Sequence, residues 1–138
     1  MKKVWMLDPH SGGRQIPEIE RPLIQKRILD HAQRKYSGKY TSIDVKFKGV
    51  FCYIDAYEEP VVGNKHPTAD LGETREEYVE RLLPTPTHLC RLRHFSIDRW
   101  SVAFYTYSHE KYEPCILEDG RWFGTVEEGF DIGAVYLS

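Results

Sequence analysis

No apolar run in this chain of 138 residues is long enough to cross a bilayer. The stretch before Asp8 offers only the four apolar residues Val4 to Leu7, too few for the core of a signal peptide. The expectation is a cytoplasmic protein that makes no use of a membrane. A strong charge of either sign is also missing: 19 Lys and Arg against 21 Asp and Glu leave a net charge of −2. No global positive field therefore draws the chain to nucleic acid or to anionic lipid, and any such binding needs a local basic patch. Cysteine is scarce and unpaired. Cys52, Cys90 and Cys115 form no C-x-x-C, and all three fall in strand-like sequence, where a reduced thiol behaves as a small hydrophobe. Repeats, low-complexity segments and linkers are absent, so residues 1–138 are expected to form one domain.

Hydrophobic residues make up 41% of the chain and charged residues 29%, enough of each for a packed core inside a solvated shell. Two ends of the sequence have helical period. Pro22 suits a first turn, Ile24, Ile28 and Ala32 form a stripe, and Gly38 can end the helix. Its outer face carries Lys26, Arg27, Arg34 and Lys35. Near the C-terminus Thr125 and Glu128 stand at capping-box spacing, and Val126, Phe130, Ala134 and Leu137 share one face. Thr74 and Glu77 repeat the box in the middle of the chain before Pro84, which predicts a short middle helix.

Between the terminal helices, alternation predicts strands. A turn at Lys48-Gly49 would pair Phe47 with Val50, Val45 with Cys52 and Ile43 with Ile54. A loop at Ser96 to Asp98 would pair Leu92 with Val102 and Cys90 with Phe104. A loop from Ser108 to Lys111 would set Phe104 against Cys115, and a turn at Asp119-Gly120 would set Leu117 against Trp122. The expected fold is α+β: a meandering antiparallel sheet of about five or six strands, with N-terminal, short middle and C-terminal helices. Val4 to Leu7 is the candidate for an added edge strand.

Period two assigns each strand residue to a face. One face collects Ile43, Val45, Phe47, Cys52, Ile54, Cys90, Leu92, Trp100, Val102 and Phe104, and reads as core. The other collects Lys46, Phe51, Tyr53, Asp55, Arg91, Arg93, Tyr105, Tyr107 and Phe123, with Leu89, Ala103 and Ile116 as packing positions. Aromatic rings offer stacking platforms and cations offer charge for a backbone, the combination with which sheets hold unpaired bases. Lys46, Tyr53, Arg91, Arg93, Tyr105 and Tyr107 are the candidate binding residues, for single-stranded nucleic acid or a partner protein. The same composition also serves ordinary cross-strand packing, and nothing in it matches the RNP1 consensus.

Other chemistry is weaker. His88, Cys90 and His94 alternate along one strand, which places the two histidines roughly 20 Å apart, too far to share a metal. No metal and no cofactor is expected. The loop "SHEKYE" gathers His109, Glu110 and Lys111 near the strand arginines, so a metal-independent ribonuclease is the enzymatic alternative. A non-catalytic homodimer built on the exposed sheet face is the structural one. "DPHSGGR" could form an anion nest but enters no helix directly, and it reads better as a loop before the first helix. The carboxylates of "DAYEEP" mark no defined geometry.

Overall fold

A computed structural model of the chain describes residues 11–58 and 86–137. Helix α1, Arg21–Tyr36, follows a single 3-10 turn at Glu18–Glu20. Five strands then run β1 Ser42–Lys48, β2 Phe51–Tyr57, β3 Thr87–Ser96, β4 Arg99–Thr106 and β5 Lys111–Cys115. They form one antiparallel sheet in sequence order, each strand beside its predecessor. Helix α2, Val126–Gly133, and a 3-10 turn, Ala134–Tyr136, close the chain. The α+β meander expected from the sequence is present with five strands. The middle helix and the Val4–Leu7 strand fall outside the described residues.

Each helix forms where its signals stand. Pro22 lies in the first turn of α1, and Ile24, Ile28 and Ala32 are fully buried. In α2 both arms of the capping box close: the Thr125 hydroxyl accepts from the Glu128 amide, and the Glu128 carboxylate accepts from the Thr125 amide at 2.9 Å. Val126 and Phe130 are fully buried, and Ala134 and Leu137 continue the stripe into the terminal 3-10 turn. Both helices pack on the same side of the sheet. Their apolar stripes and the strand residues Cys52, Ile54, Ala56, Cys90, Leu92, Trp100 and Val102 make one core.

Strand registers hold the expected faces but shift in detail. The first hairpin turns at Gly49-Val50 rather than Lys48-Gly49, because Gly49 takes φ 62 at the first central position, as a II′ turn requires. Phe47 then faces Cys52 and Val45 faces Ile54, a two-residue slip that leaves every side chain on its predicted side. The β3–β4 pairs Leu92–Val102 and Cys90–Phe104 are as expected. In the β4–β5 hairpin Thr106 pairs with Lys111, so Phe104 faces Glu113 and Val102 faces Cys115, again two residues from the predicted pairing. Asp119-Gly120 makes a turn closed by the Leu117 amide on the Arg121 carbonyl at 2.8 Å, but no ladder follows it. Instead the chain returns to the edge of β4, where Gly124 bridges Trp100. A Cβ on Gly124 would crowd the ends of the Leu117 and Glu128 side chains, which would have to shift to admit it.

Two bulges break strict alternation. Ile54 pairs with Cys90 while the next residue, Asp55, pairs with His88, leaving Leu89 as the extra residue of β3. Leu89 therefore turns into the core, fully buried, which corrects its assignment to the second face. Its backbone is where α2 ends: a Cβ on Gly133 would lie 2.7 Å from the Leu89 carbonyl carbon and oxygen. A second irregularity between His94 and Ser96 sets Phe95 aside from the ladder.

Candidate functional site

The face of the sheet turned away from α1 and α2 can be built row by row from the pairings. Phe51, Arg93 and Ser101 form one row, Tyr53, Arg91 and Ala103 the next, and Asp44, Asp55 and His88 the third. Tyr105 and Tyr112, paired across β4 and β5, complete that third row. Of the six sequence-expected binding residues, Tyr53, Arg91, Arg93 and Tyr105 lie in these rows, Lys46 joins them at the β1 edge opposite Tyr53, and Tyr107 lies against Tyr105.

The cations lie on rings. The Arg91 guanidinium sits 4.3 Å from the Phe51 ring centroid and 5.4 Å from that of Tyr112. Arg93 sits 4.7 Å from the same Phe51 ring and donates to the Gly12 carbonyl at 2.9 Å. Among the described residues Arg91 makes no ion pair and no hydrogen bond, and its side chain is half-buried. Lys46 is exposed, with Asp44 at 3.4 Å. Stacking cations on aromatic faces contributes about 0.5–1 kcal/mol each at such exposure and holds long side chains ready over the sheet.

A tyrosine cluster surrounds His88. Its ring centroid is 4.7 Å from Tyr105, 6.4 Å from Tyr112 and 6.5 Å from Tyr107, the last nearly parallel at 18°. Tyr105 touches Tyr107 at 4.8 Å and Tyr112 at 5.0 Å, and Tyr53 touches Tyr112 at 5.6 Å. The Tyr107 hydroxyl accepts from the His88 amide at 2.7 Å, and the Tyr136 hydroxyl donates to the Tyr105 carbonyl. Burial raises the Tyr107 phenol above its ordinary range, and burial followed by the Asp55 charge does the same for Tyr112. Both stay protonated at neutral pH.

Inside this ring, His88 Nδ1 lies 2.9 Å from an Asp55 carboxylate oxygen. Asp55 is buried, whereas the His88 side chain is 36% exposed. Period-two reading put His88 on the core face with Cys90. The Leu89 bulge swaps the two neighbours, sending leucine inward and histidine outward. The sequence carries a trace of this: a histidine on the apolar side next to a leucine on the charged side is a local mismatch that one extra residue resolves. Tyr112 needed no bulge, because two-residue alternation from Cys115 and Pro114 already places it outward.

Other candidates are dispersed. His94 packs 4.8 Å from Trp100 on the core side, with Nδ1 2.7 Å from the Arg14 carbonyl. His109 lies 2.5 Å from Glu113, whose hydrogen bonds from His109 and Thr106 hold its carboxyl below the usual range. Lys111 and Glu113 stand in the rows of Thr106 and Phe104, on the helix side, so "SHEKYE" and the strand arginines do not converge. The basic stripe of α1 is also on the far side. Arg27 grips Glu127 through two hydrogen bonds of 3.0 and 2.8 Å, and Lys35 reaches Asp131 at 3.2 Å. Gly12 and Gly13 (φ 69 and 102) end a segment pinned to the sheet by the Arg14 amide on the His94 carbonyl at 2.8 Å. An acidic cleft of about 180 Å³ beside α2 is lined by Glu118, Asp119, Glu128 and Asp131 with Arg121. The depression between Arg91, Arg93, Ala103 and Pro114 holds only about 10 Å³, so the open face is a surface rather than a pocket.

No family model, no curated protein and no solved structure matches the chain.

Proposed function

We propose that the open face binds single-stranded nucleic acid, with bases stacking on Phe51, Tyr53, Tyr105, Tyr107 and Tyr112 and phosphates meeting Arg91, Arg93 and Lys46. The observation that carries this reading is Arg91: a half-exposed guanidinium held over two rings, with no carboxylate beside it among the described residues. A cation desolvated on one side by rings, and without an ion pair among the described residues, favours an external anion. The flatness of the face suits a polymer laid across the strands, not a small molecule enclosed by walls. The net charge of −2 confines attraction to this patch. A partner protein would prefer an apolar centre, whereas this centre is phenolic and cationic.

Fluorescence anisotropy with a labelled oligouridine, repeated across a salt series, tests the proposal. Affinity is expected to fall as salt rises. Arg91→Ala should weaken binding several-fold and reduce the slope of log affinity against log salt by roughly 0.7, one phosphate contact on a single strand. Tyr112→Ala should lose about 1–3 kcal/mol of stacking. No binding at low salt overturns the reading. A doubled mass in solution without such binding would assign the face to a homodimer instead.

A further inference from the structure

We propose that Asp55 and His88 form a general acid–base pair with Tyr107 that cleaves RNA bound on this face, by attack of a ribose 2′-hydroxyl on its own phosphate. The proposal rests on the nucleic-acid reading above and adds a reaction to it. Four independent features of the site support it. The Leu89 bulge on β3 aims His88 out of the core and onto Asp55. The buried Asp55 carboxylate accepts a hydrogen bond from Nδ1–H at 2.9 Å, which favours the tautomer that presents the Nε2 lone pair. Nε2 makes no hydrogen bond among the described residues, and the ring is partly exposed. The Tyr107 hydroxyl, alongside the imidazole, already accepts from the His88 amide, so its own proton is left to donate elsewhere.

The step balances without metal, oxidant or cofactor. His88 Nε2 removes the proton of the 2′-hydroxyl as that oxygen bonds to phosphorus. The bond from phosphorus to the 5′ oxygen breaks, its electron pair leaves with that oxygen, and the Tyr107 hydroxyl protonates it. The products are a 2′,3′-cyclic phosphate and a 5′-hydroxyl end. The imidazolium then returns its proton through water to the Tyr107 phenolate. Arg91, one row along the sheet and sharing the Tyr112 ring with His88, faces the charge that grows on the phosphoryl oxygens. His88 and Tyr107 are the catalytic residues in this scheme, and Asp55 is a positioning residue. DNA lacks the attacking hydroxyl and should bind without being cut.

The experiment compares labelled oligouridine and oligothymidine in the presence of a chelator, reading binding by anisotropy and cleavage by the chemistry of the new ends. Expected are binding of both, cleavage of the RNA alone, and cyclic phosphate termini. His88→Ala should lower the cleavage rate at least about 100-fold, leave affinity within a few-fold, and recover part of its rate when free imidazole is added. A purely structural histidine would not respond to imidazole. Asp55→Asn should lower kcat while KM stays put. His88→Gln, checked for folding by circular dichroism, replaces His88→Ala if the alanine variant does not fold. RNA bound but left intact overturns this proposal and leaves the binding reading standing, as does cleavage that persists in both His88 variants. Failure to bind either oligomer removes the binding reading itself, and this proposal with it.

Discussion

The two faces of the sheet solve the same problem with different chemistry. On the helix side, apolar side chains close against α1 and α2, and the polar groups at the rim are paired with opposite charges. Arg27 with Glu127, and His31, Tyr36 and Lys35 with Asp131, form two clamps that tie the helices together. Even the thiols there are sealed: burial pushes the Cys52 thiol up to about 12 and raises that of Cys90 well above its ordinary range. On the open side, aromatic rings meet each other and the cations, with Tyr136 of the terminal 3-10 turn reaching the edge at Tyr107. The charged groups at the helix rim hold one another in ion pairs, while on the open side, among the described residues, Arg91 has no ion pair and His88 Nε2 no hydrogen bond. The difference teaches where stability and where ligand affinity should separate under mutation.

The largest effect is expected in the core. Phe130 is fully buried between α1 and the sheet, in ring contact with His31 at 5.8 Å and Tyr36 at 5.5 Å. Phe130→Ala should cost about 3–5 kcal/mol in urea unfolding, through lost transfer energy plus the cavity left behind. Arg91→Ala should cost about 1 kcal/mol or less, since its ring contacts are half-solvated. If the two variants lose similar stability, the division between a structural face and a working face fails.

A middling effect is expected at the helix clamp. Arg27 raises its own basicity by bonding Glu127, and Asp98 adds an ion pair at 2.9 Å. Arg27→Ala should lose about 1.5–3 kcal/mol, the range for charge-assisted hydrogen bonds, because a partly buried carboxylate is stranded. The double variant Arg27→Met with Glu127→Leu should recover most of that loss, since removing both charges removes the stranded one. Neither change should alter oligouridine binding, and a change there would mean that the two faces are coupled.

How much of this was legible beforehand follows from which forces act locally. The helix stripes, the capping box at Thr125 and the identity of the core face were readable, because period and cap chemistry are properties of short windows. Hairpin registers slipped by two at Gly49 and at Lys111, since turn geometry chooses between registers that bury the same side chains. The open face was readable in Lys46, Phe51, Tyr53, Asp55, Arg91, Arg93, Tyr105 and Tyr107. His88 was not, because a bulge depends on tertiary contact: the close approach of Gly133 to the Leu89 backbone belongs to the packing of α2, some forty positions later in the chain. For the same reason the partners of Arg27 and Lys35, cations on the outer face of α1, became visible only with α2 packed beside them.

The smallest effect, and the sharpest on charge, concerns acid stability. Burial works against ionisation of Asp131, but hydrogen bonds from Tyr36, His31 and Lys35 outweigh it and hold its carboxyl below the usual 3.8. Glu127, opposed by burial in the same way, is held below the usual 4.5 by Arg27. A carboxylate with a depressed folded value gives up its proton more readily when folded, so between the ordinary and the folded values the unfolded chain binds more protons. The stabilisation is complete above the ordinary values and disappears as pH falls through the folded ones. Urea midpoints should therefore stay level on going from neutral pH to about 5, where both groups are ionised in either state, and decline below 4.5. Asp131→Asn should be less stable at neutral pH and should show a shallower acid decline, because one of the protons taken up on unfolding is gone. Arg91→Ala, on the opposite face, should keep the slope of the unmodified chain. An acid limb that flattened equally in both variants would place the responsible carboxylates outside the clamp and dissolve the electrostatic contrast between the two sides.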